Sequence, residues 1–413
     1  MKVDVIVLGA GMVGISAAIH LQKRGRAVAL VDRRGPAEET SYGNAGIIQR
    51  EGVVPYMFPR EWATVLRYAK NNSTEAHYHF SALPRIAPWL FQYWLASTPE
   101  GKAKSSRAML PIIEHCVTEH EALMQEAGIS GMIRRTGYIR AYRSEQKLEA
   151  ALQEDAAERK AFGIAFTGVD KAELAALEPH LKDCFAGGVH MTDPVSVGDP
   201  GTVGRAYADL FVKLGGQMIE GEAKSLESGG AGWRVATRTG WLEAKEAVVA
   251  LGPWSDDVTK AQGLKIPLGW KRGYHMHYRA EGNATLSRPV IDAEYGFSLT
   301  QMSRGIRLTT GAEFARRDAA KTPVQLNRVE PHAREMFPLA GRVESEPWLG
   351  RRPCLPDMVP VIGRAPGKPG LWLDFGHQHL GFTLGPSCGR LLAEMMTGET
   401  PYADPSLYRA DRF

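Results

Sequence analysis

Apolar and polar positions fall into blocks of two kinds along the chain. Val3-Asp4-Val5-Ile6-Val7-Leu8 is almost continuously apolar, the pattern of a strand buried on both faces of a parallel sheet. It runs into Gly9-Ala10-Gly11-Met12-Val13-Gly14, and a helix-like apolar stretch follows from Met12 to about Arg24. Arg26–Val31 makes a second apolar strand that ends on Asp32. Strand, G-x-G-x-x-G turn, helix, strand and terminal acid together form a dinucleotide-binding unit. Gly9 permits the tight turn, Gly11 lets a pyrophosphate approach the backbone, and Gly14 lets helix and strand pack closely. The helix start offers unpaired N–H groups and a positive dipole end to phosphates.

Further along, helical periodicity covers Arg107–Ala127 and Glu145–Phe162, and a short helix spans Lys171–Glu178 before Pro179 stops it. Another helix starts at Asp199-Pro200-Gly201 and ends at Leu214. Strands are expected at Gly137–Ala141, Gln217–Glu220, Trp233–Thr237 and Ala244–Ala250. The last of these leads into Leu251-Gly252-Pro253-Trp254-Ser255, where a further helix begins and offers a second phosphate-side N-terminus. The pattern then changes. Leu268–Tyr278, Val290–Thr300 and Gly305–Thr310 read as strands with no helix between them, hence an antiparallel sheet separate from the parallel one. A helix at Val324–Phe337, a strand at Gly370–Phe375 and a final helix at Ser387–Met396 complete the reading.

At 413 residues the chain is long enough for two interlocked domains. A net charge of +4 is neutral on nucleic acid, but the lack of a basic run and of any finger or RNA-binding signature argues against it. Cys116, Cys184, Cys354 and Cys388 are scattered, which fits a reducing compartment rather than zinc or a disulfide framework. The apolar start is interrupted by glycines at motif spacing, so it reads as structure and not as a signal peptide. No stretch reaches the roughly 18–20 apolar residues of a membrane span. Pro84–Trp94 is dense in aromatics and reads either as a helix packed on the core, the simpler choice, or as an interfacial membrane anchor. A cytoplasmic location follows, with peripheral contact to the inner face of the membrane as its variant.

Five segments in order carry a resemblance to a known family. They are Gly9–Gly14 with Asp32; Thr40-Ser41-Tyr42-Gly43-Asn44-Ala45-Gly46; Ala250-Leu251-Gly252-Pro253-Trp254-Ser255; Gly350-Arg351-Arg352-Pro353 with Pro356–Gly363; and Gly376-His377-Gln378-His379-Leu380-Gly381-Phe382-Thr383. Spanning nearly the whole chain, they resemble the FAD-dependent D-amino-acid oxidase and glycine oxidase superfamily, and within it the bacterial D-amino-acid dehydrogenases, including hydroxyproline-catabolic members. The resemblance implies an α/β fold. A Rossmann-like FAD-binding domain (residues 1–55, 145–265 and 345–413) interleaves with an α+β substrate domain built on an antiparallel sheet (56–144 and 266–344).

It also implies non-covalent FAD, because the surroundings of Cys354 do not match a flavin-attachment motif. Gly9, Gly11, Met12, Val13 and Gly14 would hold the pyrophosphate, with Ser41 reaching back to it. Asp32, where many relatives have Glu, would take the ribose, Arg33 and Ala223 would lie by the adenine, and Arg34 would join the cofactor-binding residues. Asn44, Ala45, Gly46 and Ile47 would line the isoalloxazine. Ala250, Gly252 and Trp254 would close the second strand end, and Gly376, His377, His379, Leu380, Gly381 and Thr383 would wrap the far edge of the flavin. Arg352 matches the family arginine that clamps the substrate carboxylate, a task suited to a planar guanidinium. Arg351 replaces the usual leucine. Tyr274 would bond or cover that carboxylate, or else form a cross-strand aromatic pair with Tyr278 or a neighbour. His377 and His379 read as flavin-side residues and no metal is assigned.

The implied reaction moves a hydride from the α-carbon of a D-amino acid, D-proline and 4-hydroxy-D-proline among the candidates, to flavin N5. A secondary-amine oxidase of glycine or sarcosine type and a flavoprotein subunit are the alternatives. The electron acceptor would be a quinone, an electron-transfer protein or oxygen.

Overall fold

The computed structural model describes residues 3–230 and 232–413. Met1 and Lys2, the first residues of the expected FAD-binding segment, lie outside the described residues. The opening unit forms as read: β1 (Val5–Leu8), α1 (Met12–Lys23) and β2 (Val28–Asp32). β1 is central in an eight-stranded sheet. It pairs in parallel with β2 on one side and with Glu246–Val249 on the other, and Leu371–Phe375 continues the parallel run. Both faces of β1 are covered. Val5 and Val7 belong to the core shared with α1 and the helix Gly381–Thr397, while Ile6 and Leu8 belong to the core under Val258, Leu264 and Phe375. This two-sided burial is why the strand is apolar at consecutive positions.

The second sheet has 11 strands and is largely antiparallel around Gly269–Ala280. That strand pairs with Gly305–Thr309, Ala312–Phe314, Leu339–Arg342 and Trp348–Cys354. Sheet membership departs from the expected division of the chain. Phe166–Asp170, Gly187–Met191 and Trp348–Cys354, placed by sequence with the FAD-binding segments, lie in this second sheet. Conversely, Met109, Ile112 and Leu123 from the helices after residue 98 share the core of α1.

Several element boundaries also differ, each for a physical reason. The stretch Arg107–Ala127 is two helices, Pro99–Glu114 and Cys116–Glu126, that meet at His115 one turn after Pro111, which lacks a helical N–H. Ala244–Ala250 divides at Lys245. Gly240–Ala244 is the outer arm of a hairpin on Gly232–Thr237, and Glu246–Val249 is a parallel partner of β1. Val290–Thr300 is interrupted by a turn in which Asp292 Oδ1 accepts from the N–H groups of Glu294 and Tyr295, both at 3.0 Å. The last helix begins at Gly381 and runs through Pro386. Proline cannot donate to the carbonyl of Phe382, and the imidazole Nε2 of His120 meets that oxygen instead at 2.8 Å. A contact from a distant helix thus lets this helix start six residues earlier than its sequence suggests.

The aromatic stretch is a helix, Leu83–Ala96, and packs through one side only. Trp89 Nε1 donates to the carbonyl of Pro267 at 3.1 Å, and Tyr93 is buried edge-on against Phe58. Phe91 and Leu95 face outward, as do Trp62 and Leu66 on the neighbouring helix Trp62–Ala69, which buries no residue. No helix among the described residues is long and apolar enough to cross a membrane.

Candidate active site

At the C-terminal end of β1 the backbone turns through Gly9, whose φ of +108° suits only glycine. A Cβ on Gly14 would stand 1.8 Å from the carbonyl oxygen of Gly9, so helix and turn touch backbone to backbone. The carboxylate of Asp32 accepts from the N–H of Ala10 at 2.7 Å and from that of Arg34 at 2.9 Å, which ties the end of β2 to the glycine turn. Ser41 Oγ accepts from the N–H of Met12 at 2.9 Å, capping α1 from a loop 29 residues away. The turn, the start of α1 and the strand-end acid supply the donors, the close approach and the acceptor that a dinucleotide needs.

From here one cavity of about 630 Å³ runs into the region between the two sheets. Gly9, Gly11, Met12, Val13, Asp32, Arg33, Ser41, Ala223, Ala250, Gly252 and Trp254 line one end. Asn44, Ala45, Ile47, His377, His379 and Gly381 line its course, and Tyr274 and Arg352 stand with them toward the second sheet. Arg33 lies over the Trp254 ring, 4.7 Å from its centroid.

Six expected site residues do not form the cavity wall, and each has another task. Gly14 makes the helix–turn contact. Arg34 gives Asp32 its backbone N–H while its side chain pairs with Glu39 at 2.8 Å in solvent. Gly46 turns with φ +76° against the carbonyl of Val197. Gly376, at φ +90°, packs on Leu355. Leu380 is buried at the start of the last helix, and Thr383 accepts from the Gln49 N–H at 3.2 Å and donates to the Ile47 carbonyl at 3.3 Å.

The strand Trp348–Cys354 delivers Arg352 into the cavity. Its two terminal nitrogens donate to the carbonyls of Gly311 (2.8 Å) and Thr310 (2.9 Å). A Cβ on Gly273 would come 2.5 Å from the guanidinium, so glycine at that position makes the room. Among the described residues no carboxylate pairs with Arg352, and burial holds its pKa below the usual guanidinium range. Arg351 points elsewhere, donating to the carbonyl of Arg317 at 2.8 Å.

Tyr274 lines the cavity, but its hydroxyl is engaged within the protein. Its hydroxyl accepts from the Thr322 N–H at 2.8 Å and lies 3.2 Å from both Arg272 Nη2 and Glu313 Oε2. Glu313 is fully buried with Arg272 Nε 2.7 Å away. The tyrosine oxygen therefore belongs to a buried polar network and is committed there, and Tyr278 lies on the same strand rather than across from it.

Two residues that the sequence reading passed over matter here. Lys271 stands directly opposite Arg352 in the antiparallel register and also lines the cavity. Its ammonium meets the Tyr93 hydroxyl at 2.9 Å, and burial lowers its pKa to about 8. Period-two alternation along the strand, counted from Gly269, would have put it on the face of Gly273. Arg307 donates to the carbonyls of Tyr42 and Asn44 and holds the loop at that bend. His379, beside the Tyr56 ring at 5.2 Å, is kept neutral by burial and then by Arg352 and Lys271, with its pKa lowered to about 3. His377 Nε2 lies 3.2 Å from Asp374 Oδ1.

Known proteins resemble this chain over its full length. It is 30% identical to a D-amino-acid oxidase of Bradyrhizobium diazoefficiens across 99% of this chain and 98% of that protein. It is 30% identical to a D-amino acid dehydrogenase of Chromohalobacter salexigens across 97% of each. Among solved structures, glycine oxidase from Geobacillus kaustophilus superposes with a TM-score of 0.75 at 20% identity, covering 100% of this chain and 99% of its own. L-amino acid deaminase from Proteus vulgaris superposes at 0.73 and 18% identity, covering 100% and 97%. The family model for FAD-dependent oxidoreductases, DAO, matches residues 4–395. The chain belongs to this family and is an FAD-dependent amino-acid oxidoreductase.

Proposed function

We propose that the protein oxidises a D-amino acid at its α-carbon, with Arg352 holding the α-carboxylate. The observation that carries this is a guanidinium facing a cavity, fixed by two carbonyls and matched by no acid among the described residues. Such a group gains most from a carboxylate, whose two oxygens fit its fork. The names of the full-length relatives favour the D-series.

Bound FAD supplies the hydride acceptor. The chain's own residues position: the glycine turn and α1 start toward the phosphates, Asp32 toward the ribose, and Asn44, Ala45, Ile47, His377, His379 and Gly381 along the cavity that leads to Arg352. Holding the carboxylate fixes where the α-carbon stands, which is the main catalytic contribution required of the protein if the amine arrives neutral. No general base is assigned. D-proline and 4-hydroxy-D-proline are candidate substrates alongside acyclic D-amino acids.

Anaerobic addition of D- and L-amino acids to the flavin-loaded protein tests this. Bleaching of the flavin band by D-isomers, weakened in Arg352→Ala, is the expected result. Bleaching by secondary amines such as sarcosine but by no D-amino acid would overturn it.

The acceptor reading that fits the surface is a lipid-borne quinone. Trp62, Leu66, Phe80, Phe91 and Leu95 are exposed on one segment, and Tyr56, Met57 and Phe58 beside it line the cavity. Interfacial membrane contact uses such residues. Faster turnover with a water-soluble quinone than with oxygen, together with sedimentation on anionic vesicles that Trp62→Ser and Phe91→Ser abolish, is expected. Turnover with oxygen alone would remove the reading.

A further inference from the structure

We propose that Lys271 forms a second anion subsite beside Arg352, so that the preferred substrate is a D-amino acid whose side chain carries its own carboxylate. This rests on Arg352 as the α-carboxylate clamp and adds the side-chain class.

Lys271 and Arg352 face each other across two antiparallel strands. Side chains at such positions leave the sheet with Cβ atoms about 4.5–5.5 Å apart, and like charges placed there repel. Both side chains line the same cavity. Arg352 spends two donors on Thr310 and Gly311. Among the described residues Lys271 has only the Tyr93 hydroxyl at 2.9 Å, the Tyr93 ring at 4.2 Å and the Met358 sulfur at 4.0 Å. The titratable and charged groups that bear on the ammonium are Arg352 and Cys354 from the neighbouring strand, Tyr93 from the helix Leu83–Ala96, and His379 from the loop before the last helix. None is a carboxylate, and His379 is neutral.

Two half-buried cations side by side with no acid among the described residues are costly, unless a ligand brings the missing charge. One carboxylate answers Arg352 and leaves Lys271 unmatched. A molecule with two carboxylates separated by two or three carbons answers both. D-aspartate and D-glutamate have that form and D-proline does not, so acidic acyclic substrates rank ahead of it. With its pKa lowered to about 8, Lys271 is largely charged at pH 7 and loses the charge within two pH units above.

The test compares each acid with its amide, which matches it in shape. Anaerobic bleaching of the flavin-loaded enzyme at pH 7 gives apparent affinities for D-glutamate against D-glutamine and D-aspartate against D-asparagine. At least a tenfold preference for the acids is expected. It should shrink as the pH rises through 8 to 9.5, vanish in Lys271→Met and persist in Lys271→Arg. Calorimetric titration with glutarate and glutaramate reads the same subsite without turnover, and flavin content confirms that each variant is folded. Equal affinity for acid and amide, or a preference that survives in Lys271→Met, overturns the subsite. If neutral D-amino acids bleach the flavin as well as acidic ones, the D-amino-acid reading stands and the subsite falls. If no D-amino acid bleaches it but glutarate binding depends on Lys271, the subsite stands and the D-amino-acid reading falls.

Discussion

The two ends of the cavity are built on opposite electrostatic terms. At the glycine turn the charged group is satisfied from within: Asp32 accepts from two backbone N–H groups and Met12 donates to Ser41. At the second sheet, Arg352 and Lys271 stand opposite each other, and no acid among the described residues pairs with either. The first end is complete in its protein contacts and is ready to receive a ligand of fixed shape. The second holds unmatched charge and is completed by what binds. A cofactor that stays needs a preorganised cradle, whereas a substrate that must leave is selected by the charge it brings.

Breaking the cradle should have the largest effect. Gly14→Val pushes a side chain into the Gly9 carbonyl, and the purified protein is expected to carry no flavin, read from the ratio of flavin to protein absorbance. A normal ratio would show that helix and turn can separate without loss. Next is the unmatched end. Arg352→Ala should lower kcat/KM by roughly 10²–10³-fold, in line with about 2–5 kcal/mol for truncating a buried charge partner, with flavin content unchanged. Equal loss of flavin would mean that the two ends are not independent. Asp32→Asn keeps the shape and removes the charge from two charge-assisted bonds, so FAD affinity should fall roughly tenfold. Titration of the apoprotein by flavin fluorescence measures it, and an unchanged affinity would show the charge is not used.

A further effect falls outside the cavity, on His120, which meets the Phe382 carbonyl of the last helix. The His120 pKa is lowered by burial from 6.5 to about 4 in the folded chain. Between those values the unfolded chain binds a proton that the folded chain refuses, so stability is full above pH 6.5 and declines as the pH falls toward 4. That slope is at most about 1.4 kcal/mol per pH unit. Thermal unfolding between pH 7 and 5 should show a shallower slope in His120→Gln than in the parent, and an identical slope would remove His120 from the acid response.

By itself the sequence determined the cradle and much of the ligand class. Gly9, Gly14 and Asp32 act within 32 residues of the start, through backbone geometry that neighbours in sequence dictate, so strand, turn, helix and acid are all legible there. The segments around Asn44, Gly252, Arg352 and His379 were legible as motifs, although their common cavity was not. Tertiary structure decided the rest. The sequence places Tyr274 either toward the substrate or in a cross-strand pair, whereas its hydroxyl is drawn to Glu313 and Thr322, which approach only when distant strands and loops pack together. The last helix passes through Pro386 because His120, more than 260 residues away, faces the exposed carbonyl. Lys271 gains meaning only from cross-strand register with Arg352, since pairing between segments some 80 residues apart leaves no local mark on either. What short-range sterics control was written in the chain, and what depends on which segments meet was settled by the packing of the two sheets.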